Sequence, residues 1–225
     1  MSALDLQRPG PWSDLFARAL ELVAELERQV DGATWSFGGG TVLMLRIGHR
    51  YSKDIDLFVP DPQYLGYVSP RLNEVAESIS ADYEQAAEYL KLFLPGGEID
   101  VVVGDSLTAR PFERVEYRGR SIRVETSGEI IAKKMWHRGH HAKARDLFDL
   151  CAVASAEPEQ IEAAKPWMRR HGAAFLRGLG IREQLLRREF EEIDAIGERM
   201  DFDGCLRQAE LIVAASLQED GAVGG

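Results

Sequence analysis

Two aspartates one residue apart are the first side chains in this sequence whose types and spacing could do chemistry. Asp54 and Asp56 lie in the run Ser-Lys-Asp-Ile-Asp-Leu-Phe at 52–58, and the alternation of that run predicts a strand. Residues i and i+2 of a strand point to the same face, so the two carboxylates would lie side by side. Two such like charges are costly unless a cation lies between them, and Mg²⁺ with a nucleotide phosphate fits that requirement. We therefore predict that both aspartates are catalytic metal ligands.

A glycine run stands shortly before the aspartates. Gly-Gly-Gly at 38–40 leads into a short apolar helix that is predicted from Thr41 to Ile47. Backbone N–H groups of such a turn, together with the start of the helix, can cradle phosphate oxygens. No Gly-Lys-Ser/Thr follows, which excludes a P-loop, and a flexible bend is the alternative interpretation. Arg50, between the glycines and the aspartates, could balance a triphosphate or merely the acidic surface.

A third carboxylate, Asp100, interrupts the apolar run Ile-Asp-Val-Val-Val at 99–103. A carboxylate in such a strand conflicts with the local pattern, and conflicts of this kind concentrate at functional sites. If this strand lies beside that of Asp54 and Asp56, three carboxylates converge and can hold two divalent metals. The alternative is an edge-strand or turn residue that faces water.

Two adjacent lysines on a predicted helix at 129–138 separate by helical geometry. Lys133 lies four residues after Glu129, which is the spacing of an ordinary surface ion pair. Lys134 follows the apolar residues Ile130 and Ile131 at helical spacing, so it projects from the inward stripe and needs an anionic partner. A nucleotide phosphate would serve. A side chain that snorkels at the rim of the core is the alternative.

The run Arg-Asp-Leu-Phe-Asp-Leu at 145–150 offers another acidic pair on a predicted helix. Arg145 and Asp149 have the spacing of an i,i+4 salt bridge, which is the ordinary interpretation for both. Asp146 lies in the first turn of a helix rich in Leu and Phe. There it could orient Lys134 or place a water or metal, or it could simply be a helix N-terminal residue favoured by the dipole.

The elements that must position these residues divide the chain into two parts. Residues 1–125 carry an N-terminal helix, short strands around 34–37, 55–59, 89–94, 99–103, 115–117 and 122–124, and helices at 41–47 and 71–80. Residues 126–225 are almost entirely helical. We predict an α+β fold, a short mixed sheet flanked by helices, with a helical C-terminal lobe that completes a cleft.

Composition restricts the classes of partner. The formal net charge is −10, which argues against a protein coated for non-specific nucleic-acid binding. The segment 165–188 nevertheless holds seven Lys or Arg against one Glu, and such a patch could bind a polyanion such as RNA, or an acidic partner protein. A solvated helix face is the commoner meaning. The two cysteines are too few for a disulfide framework, and without a signal peptide or apolar span we expect a cytoplasmic protein with no membrane partner.

The motifs together resemble a known pattern. Gly-Gly-Thr at 39–41, then twelve residues, then Asp-Ile-Asp at 54–56, with a later strand aspartate, resemble the DNA polymerase β-like nucleotidyltransferase superfamily. Ala-Lys-Lys at 132–134 and Arg-Asp-x-x-Asp at 145–149 narrow the resemblance to the AbiEii/AbiGii toxin family. That family is the toxin side of type IV toxin–antitoxin and phage abortive-infection systems. The similarity runs from about residue 37 to 150.

The resemblance implies roles for individual residues. Gly39, Gly40 and Thr41 would line the nucleotide phosphates, and Asp54 and Asp56 would bind metal. Asp100 would be a further metal ligand, and Lys134 and Asp146 of the later motifs would be catalytic. Arg50, Ser52 and Lys134 would bind the nucleotide.

The resemblance also implies a minimal nucleotidyltransferase fold and a reaction. The protein would use two Mg²⁺ ions to transfer a nucleoside monophosphate from an NTP to an acceptor, with an antitoxin regulator as a partner. Some family members modify the 3′ end of tRNA, so RNA or tRNA is the expected acceptor, held by the basic region 165–188. Two alternatives remain: a nucleotidyltransferase that modifies a small molecule such as an antibiotic, and a catalytically silent module that binds nucleotides or a partner.

Overall fold

The computed structural model of this chain describes residues 2–138, 141–197 and 199–218. The strands are β1 Ser36–Gly38, β2 Ile55–Val59, β3 Tyr83–Gln85, β4 Tyr89–Leu94, β5 Gly97–Val103, β6 Phe112–Tyr117 and β7 Arg120–Glu125. The helices are α1 Trp12–Gln29, α2 Gly39–Ile47, α3 Tyr64–Tyr67, α4 Glu74–Ile79, α5 Ser127–Arg138, α6 Ala144–Ala156, α7 Pro158–Ile181, α8 Glu183–Glu191 and α9 Phe202–Gln218.

Within the described residues the strands form one mixed sheet in the order β3-β4-β5-β2-β1-β7-β6. The central strand β2 is antiparallel to β1 and parallel to β5, and β1 is parallel to β7. Along β2 the burial alternates, so Ile55, Leu57 and Val59 are buried while Asp56 and Phe58 are half-buried on the other face. Period-two alternation therefore separates a core face from a face that carries polar side chains.

The core face of the sheet is covered by α1. Apolar residues at helical spacing along this helix are buried, and Phe16 stacks on Phe37 of β1 with 4.3 Å between ring centroids. Both side chains are fully buried, and truncating such an aromatic to alanine costs about 3–5 kcal/mol. The packing of α1 fixes the position of β1 and so of the glycine run that follows it.

The predicted fold class is confirmed: a mixed sheet with helices is followed by a helical region from α5 onward. The helices α5, α6, α7 and α9 pack on one another, and α2 contacts both α5 and α6. No helix in the described part of the chain is both long enough and apolar enough to cross a bilayer. The assignment of residues 1–125 and 126–225 to separate domains stays a prediction.

Some elements differ from those expected. The short elements α3 and β3 were not predicted. The helix expected at 71–80 begins only at Glu74, because the Asn73 side chain caps it by accepting the N–H of Ala76 at 2.9 Å. Asp100 is not on an edge strand, since β5 lies between β4 and β2.

Candidate active site

A cleft of about 560 Å³ lies above the polar face of the sheet. Its floor comes from β2, β4 and β5, one end from the start of α2, and its roof from α5 and the residues around the start of α6. The lining residues are Gly39, Gly40, Arg50, Ser52, Asp54, Asp56, Phe58, Lys91, Glu98, Asp100, Val102, Glu125, Ile130, Lys133, Lys134, His137, Lys143 and Arg145.

A row of paired residues crosses the floor of this cleft. Lys91 of β4 pairs with Asp100 of β5, Asp100 with Asp56 of β2, and Asp56 with Gly38 of β1. Paired residues on neighbouring strands share a face of the sheet. Two of the three aspartates predicted from the sequence are therefore direct cross-strand neighbours, in the order Lys, Asp, Asp, Gly.

Asp54 lies just before β2, at the edge of the same cleft. Its Oδ1 accepts the backbone N–H of Glu98 at 3.1 Å, which ties it to the start of β5. Its carbonyl oxygen accepts the hydroxyl of Thr41 at 2.6 Å. Thr41 is fully buried and does not line the cleft, so the structure places its hydroxyl on the aspartate loop, and its expected contact with phosphate stays a prediction.

Asp100 has an unusual electrostatic environment. Burial first, and the neighbouring Asp56 charge second, raise its pKa to about 6 from an ordinary value of 3.8, against the opposing charge of Lys91. Lys91 Nζ lies 3.1 Å from Asp100 Oδ2 and 2.6 Å from Glu98 Oε2. Asp100 Oδ1 is buried without a hydrogen-bond partner.

The metal-binding role predicted for Asp54, Asp56 and Asp100 stays a prediction. Asp54, Asp56 and Asp100 all line the cleft, but in the described residues no three His, Cys, Asp or Glu side chains form a group that could hold a metal ion. Asp54 Oδ1 accepts the N–H of Glu98, and Asp100 is paired with Lys91.

The glycine run is required by close packing. Strand β1 ends at Gly38 and α2 begins directly at Gly39, which has φ +73°. A Cβ at Gly39 would lie 1.8 Å from Asp56 Oδ2, and a Cβ at Gly40 would lie 2.7 Å from Arg50 Nη2. The start of α2 thus approaches one carboxylate and one guanidinium closely, and a side chain at either glycine would prevent this approach. The phosphate-binding role of the glycines stays a prediction.

Asp149, whose spacing favoured an ordinary i,i+4 salt bridge with Arg145, is a buried carboxylate that holds side chains of the cleft wall. Asp149 does not pair with Arg145. It is fully buried, and it accepts hydrogen bonds from His49 Nε2 at 2.7 Å and from Arg50 Nε and Nη2 at 2.6 and 2.9 Å. Lys134 Nζ lies 2.9 Å from its Oδ2.

The charges in this cluster shift the pKa values of its members. Burial by itself would raise the pKa of Asp149, but the charges of Arg50 and Lys134 outweigh it and hold the pKa well below the ordinary value. Burial lowers the pKa of His49 despite the hydrogen bond to Asp149. A charged carboxylate therefore holds two cations, Arg50 and Lys134, at the cleft wall.

Lys134 and Asp146 lie together, so Asp146 meets the interpretation that it orients Lys134 as well as the interpretation that it is a helix N-terminal residue. Lys134 Nζ donates to Asp146 Oδ1 at 2.7 Å, and the other carboxylate oxygen of Asp146 accepts the N–H of Lys143 at 3.0 Å. Asp146 thus orients Lys134 and also caps the start of α6. Its side chain is buried behind the lysine and is not part of the cleft lining.

Lys133 was expected on the surface, and this was wrong. It is buried, its Nζ donates to Glu125 Oε1 at 2.6 Å, and it lies 3.8 Å from Glu129 Oε1. The ammonium also stands over the ring of Phe58, 3.6 Å from its centroid. The helical spacing to Glu129 was correct, but the tertiary partner on β7 lies eight residues away and had no local signal.

The basic segment 165–188 lies outside the cleft lining. Several basic residues of the segment lie next to acidic ones. Lys165 pairs with Glu162, Arg182 lies 4.0 Å from Glu189, and Arg187 pairs with Glu183 and with Asp203 of α9. These contacts support the solvated-face interpretation for those three residues. Arg170, Arg177 and Arg188 are exposed.

The sheet order, the glycine-led helix after β1 and the aspartates on β2 and β5 define a nucleotidyltransferase fold. A solved structure from H. pylori, assigned as a nucleotidyltransferase, matches with a TM-score of 0.52 at 15% identity, covering 97% of this chain and 100% of that chain. MenT4, a nucleotidyltransferase toxin from Mycobacterium tuberculosis, matches with a TM-score of 0.49 at 20% identity, covering 93% and 86%. No curated protein matches the chain.

The sequence itself identifies the family. The profile described as "Nucleotidyl transferase AbiEii toxin, Type IV TA system" matches residues 21–219. The chain belongs to this family of nucleotidyltransferase toxins, and the resemblance inferred from its motifs is confirmed.

Proposed function

We propose that this protein transfers a nucleoside monophosphate from an NTP to an acceptor hydroxyl on RNA, with Mg²⁺, as the toxin of a type IV toxin–antitoxin pair. The observation that carries the proposal is the cross-strand pair Asp56 and Asp100, which lies beside the start of α2 and a wall of cations in one cleft. Carboxylates next to phosphate-binding groups are the arrangement that phosphoryl transfer needs.

The triphosphate would bind at the end of the cleft formed by α2. This helix has nine residues, and its first N–H groups and positive dipole end favour an anion. Arg50 lies against Gly40, and Ser52 and Lys134 complete the lining on that side. Asp149 and Asp146 are positioning residues here, because they hold the two cations without lining the cleft themselves.

The donor chemistry of the residues on the floor, rather than a preformed cage, fits a divalent metal. Asp54, Asp56 and Asp100 offer only carboxylate oxygens, the donors that Mg²⁺ prefers, and Asp100 Oδ1 has no hydrogen-bond partner. When bound, the metal would neutralise developing charge and lower the pKa of the attacking hydroxyl. The side chains would orient it, with Asp54 and Asp56 as its main ligands and Asp100 as the third.

The reaction would be an in-line displacement. The acceptor hydroxyl would lose its proton to solvent water as its oxygen forms a bond to the α-phosphorus of the NTP. The bond from that phosphorus to the bridging oxygen would break, and pyrophosphate would leave with its negative charge held by Lys134 and Arg50. We also propose that residues 1–125 and 126–225 form the two sides of this cleft. The RNA would approach from the cleft mouth and contact the exposed arginines of the basic region 165–188.

The acceptor can be identified directly. The protein is incubated with each α-labelled NTP, Mg²⁺ and either total cellular RNA or an aminoglycoside. The proposal predicts label in RNA together with released pyrophosphate. Label in the aminoglycoside alone would support the small-molecule alternative, and no transfer with measurable NTP binding would support the silent module. Co-purification with the product of the neighbouring gene would test the antitoxin partner.

A further inference from the structure

Lys91 is a cation on the floor of the proposed metal site. Neither the family assignment nor the proposed phosphate site explains why a cation lies there. It lies on β4, directly opposite Asp100 in the antiparallel pairing of β4 and β5. Its ammonium lies 3.1 Å from Asp100 Oδ2 and 2.6 Å from Glu98 Oε2, and its side chain is 27% exposed. The contact is therefore fixed by strand register and by two carboxylates at once.

This ion pair changes what Asp100 can bind. A bare carboxylate next to Asp56 would attract a divalent ion strongly, because two negative charges would face it. The ammonium cancels one of them at hydrogen-bond distance and repels any second cation nearby, and a partly buried pair is poorly screened by salt. The ion pairs of Lys91 are with Glu98 and Asp100, so the effect falls on Asp100.

We propose that Lys91 is an internal counter-cation that keeps Asp100 from binding a divalent ion until a nucleotide brings one. This inference rests on the proposed function, in which Asp54, Asp56 and Asp100 form the metal site. In the nucleotide-free protein the pair Asp54 and Asp56 then holds one ion. The second ion arrives with the negative charge of the triphosphate, which offsets the repulsion by Lys91.

The test is a Mn²⁺ titration of the full, nucleotide-free chain, with bound ions counted from the loss of the electron paramagnetic resonance signal of free Mn²⁺. We expect one bound ion for the original sequence. For Lys91→Met we expect either two ions or at least about tenfold tighter binding, since one opposing charge at close range has been removed. Lys91→Arg retains the cation and should behave like the original sequence.

Two control variants distinguish the effect of the ion pair between Lys91 and Asp100 from the effect of positive charge near the site in general. Lys53→Met removes an exposed charge from the residue next to Asp54 and should change Mn²⁺ affinity by less than about threefold, because exposed charges are screened. Adding Asp100→Asn to Lys91→Met should abolish the gain. Unchanged Mn²⁺ binding in Lys91→Met, or an equal gain in Lys53→Met, would overturn the proposal. Mn²⁺ binding as expected without any nucleotide transfer would contradict only the proposed function.

Discussion

Gly39 lets the backbone of α2 lie against the carboxylate of Asp56. It has φ +73°, and a Cβ there would be 1.8 Å from Asp56 Oδ2. We predict that Gly39→Ala displaces Asp56 and lowers nucleotide transfer by at least about 100-fold, in line with the sensitivity of catalysis to misplacement of about 1 Å. Steady-state transfer kinetics check this.

Gly32→Ala is the matched control for this change. Gly32 has φ +72°, yet a Cβ there meets nothing within 4 Å. It should lose only about 1–2 kcal/mol of stability from backbone strain and keep its activity. Equal activity losses in both variants would show that strain, and not the contact with Asp56, explains the effect.

The charge of Asp149 holds the cations Arg50 and Lys134 at the cleft wall. Asp149→Asn would leave Arg50 and Lys134 buried with less compensation, so we predict a loss of about 3–5 kcal/mol in the free energy of unfolding at pH 7. Because the pKa of Asp149 is held below its ordinary value in the fold, its contribution is complete above about pH 4 and is lost as the pH falls towards the folded pKa.

Urea unfolding at pH 7, 5 and 3 measures this dependence. The difference between the original sequence and Asp149→Asn should be the same at pH 7 and 5 and smaller at pH 3. Asp203→Asn breaks a solvent-exposed pair with Arg187 and serves as the control with little change at any pH. A difference that grows towards acid pH would contradict the assignment of a charged Asp149.

At the scale of elements, Lys133 and Glu125 join the roof helix α5 to the end of β7. Both side chains are buried, and burial raises the pKa of Glu125 while Lys133 opposes it. Lys133→Met should therefore destabilise the fold by about 3–5 kcal/mol, because a buried carboxylate would lose its partner. Adding Glu125→Gln should recover at least half of that loss.

Chemical denaturation of Lys133→Met, of Glu125→Gln and of the double variant gives a double-mutant cycle. A coupling free energy near zero would mean that the two side chains do not stabilise α5 against β7. Ser36 Oγ, which also donates to Glu125 at 2.8 Å, gives a third variant, Ser36→Ala, whose smaller effect calibrates the scale.

The elements that could be predicted from sequence are those with a local period or a local cap. The alternation along β2 predicted that Asp56 lies on the face of the sheet opposite to that of Ile55 and Leu57. Helical spacing predicted that Lys134 lies on the inward side of α5. The partner of Asp149, by contrast, lies 99 residues away in Arg50, and local spacing indicated only Arg145. Such pairs depend on how elements pack, which no local period specifies.

The register of distant strands was likewise beyond prediction from sequence. The convergence of Asp56 and Asp100 could be proposed only on the condition that their strands are neighbours, and the structure meets that condition. The presence of Lys91 in the same row depends on the hairpin register of β4 and β5, since a slip of one residue would turn it to the core face.

On the scale of the whole molecule, the net charge of −10 means that an RNA acceptor must be held locally. We predict that replacing Arg170, Arg177 and Arg188 together by glutamate weakens RNA binding by at least about tenfold and reduces its salt dependence, while NTP affinity stays unchanged. Filter binding at several salt concentrations and NTP calorimetry provide the measurements. Unchanged RNA affinity would remove the basic region from the acceptor site.

We predict that Asp54 and Asp56 catalyse nucleotide transfer. Label transfer from an α-labelled NTP to total RNA with Mg²⁺ is compared for the original sequence, Asp54→Asn, Asp56→Asn and Asp105→Asn, the last being an exposed loop aspartate outside the cleft lining. We expect transfer to fall by at least about 1,000-fold in Asp54→Asn and Asp56→Asn and to stay at the original level in Asp105→Asn. Transfer that persists in Asp54→Asn and Asp56→Asn would contradict it.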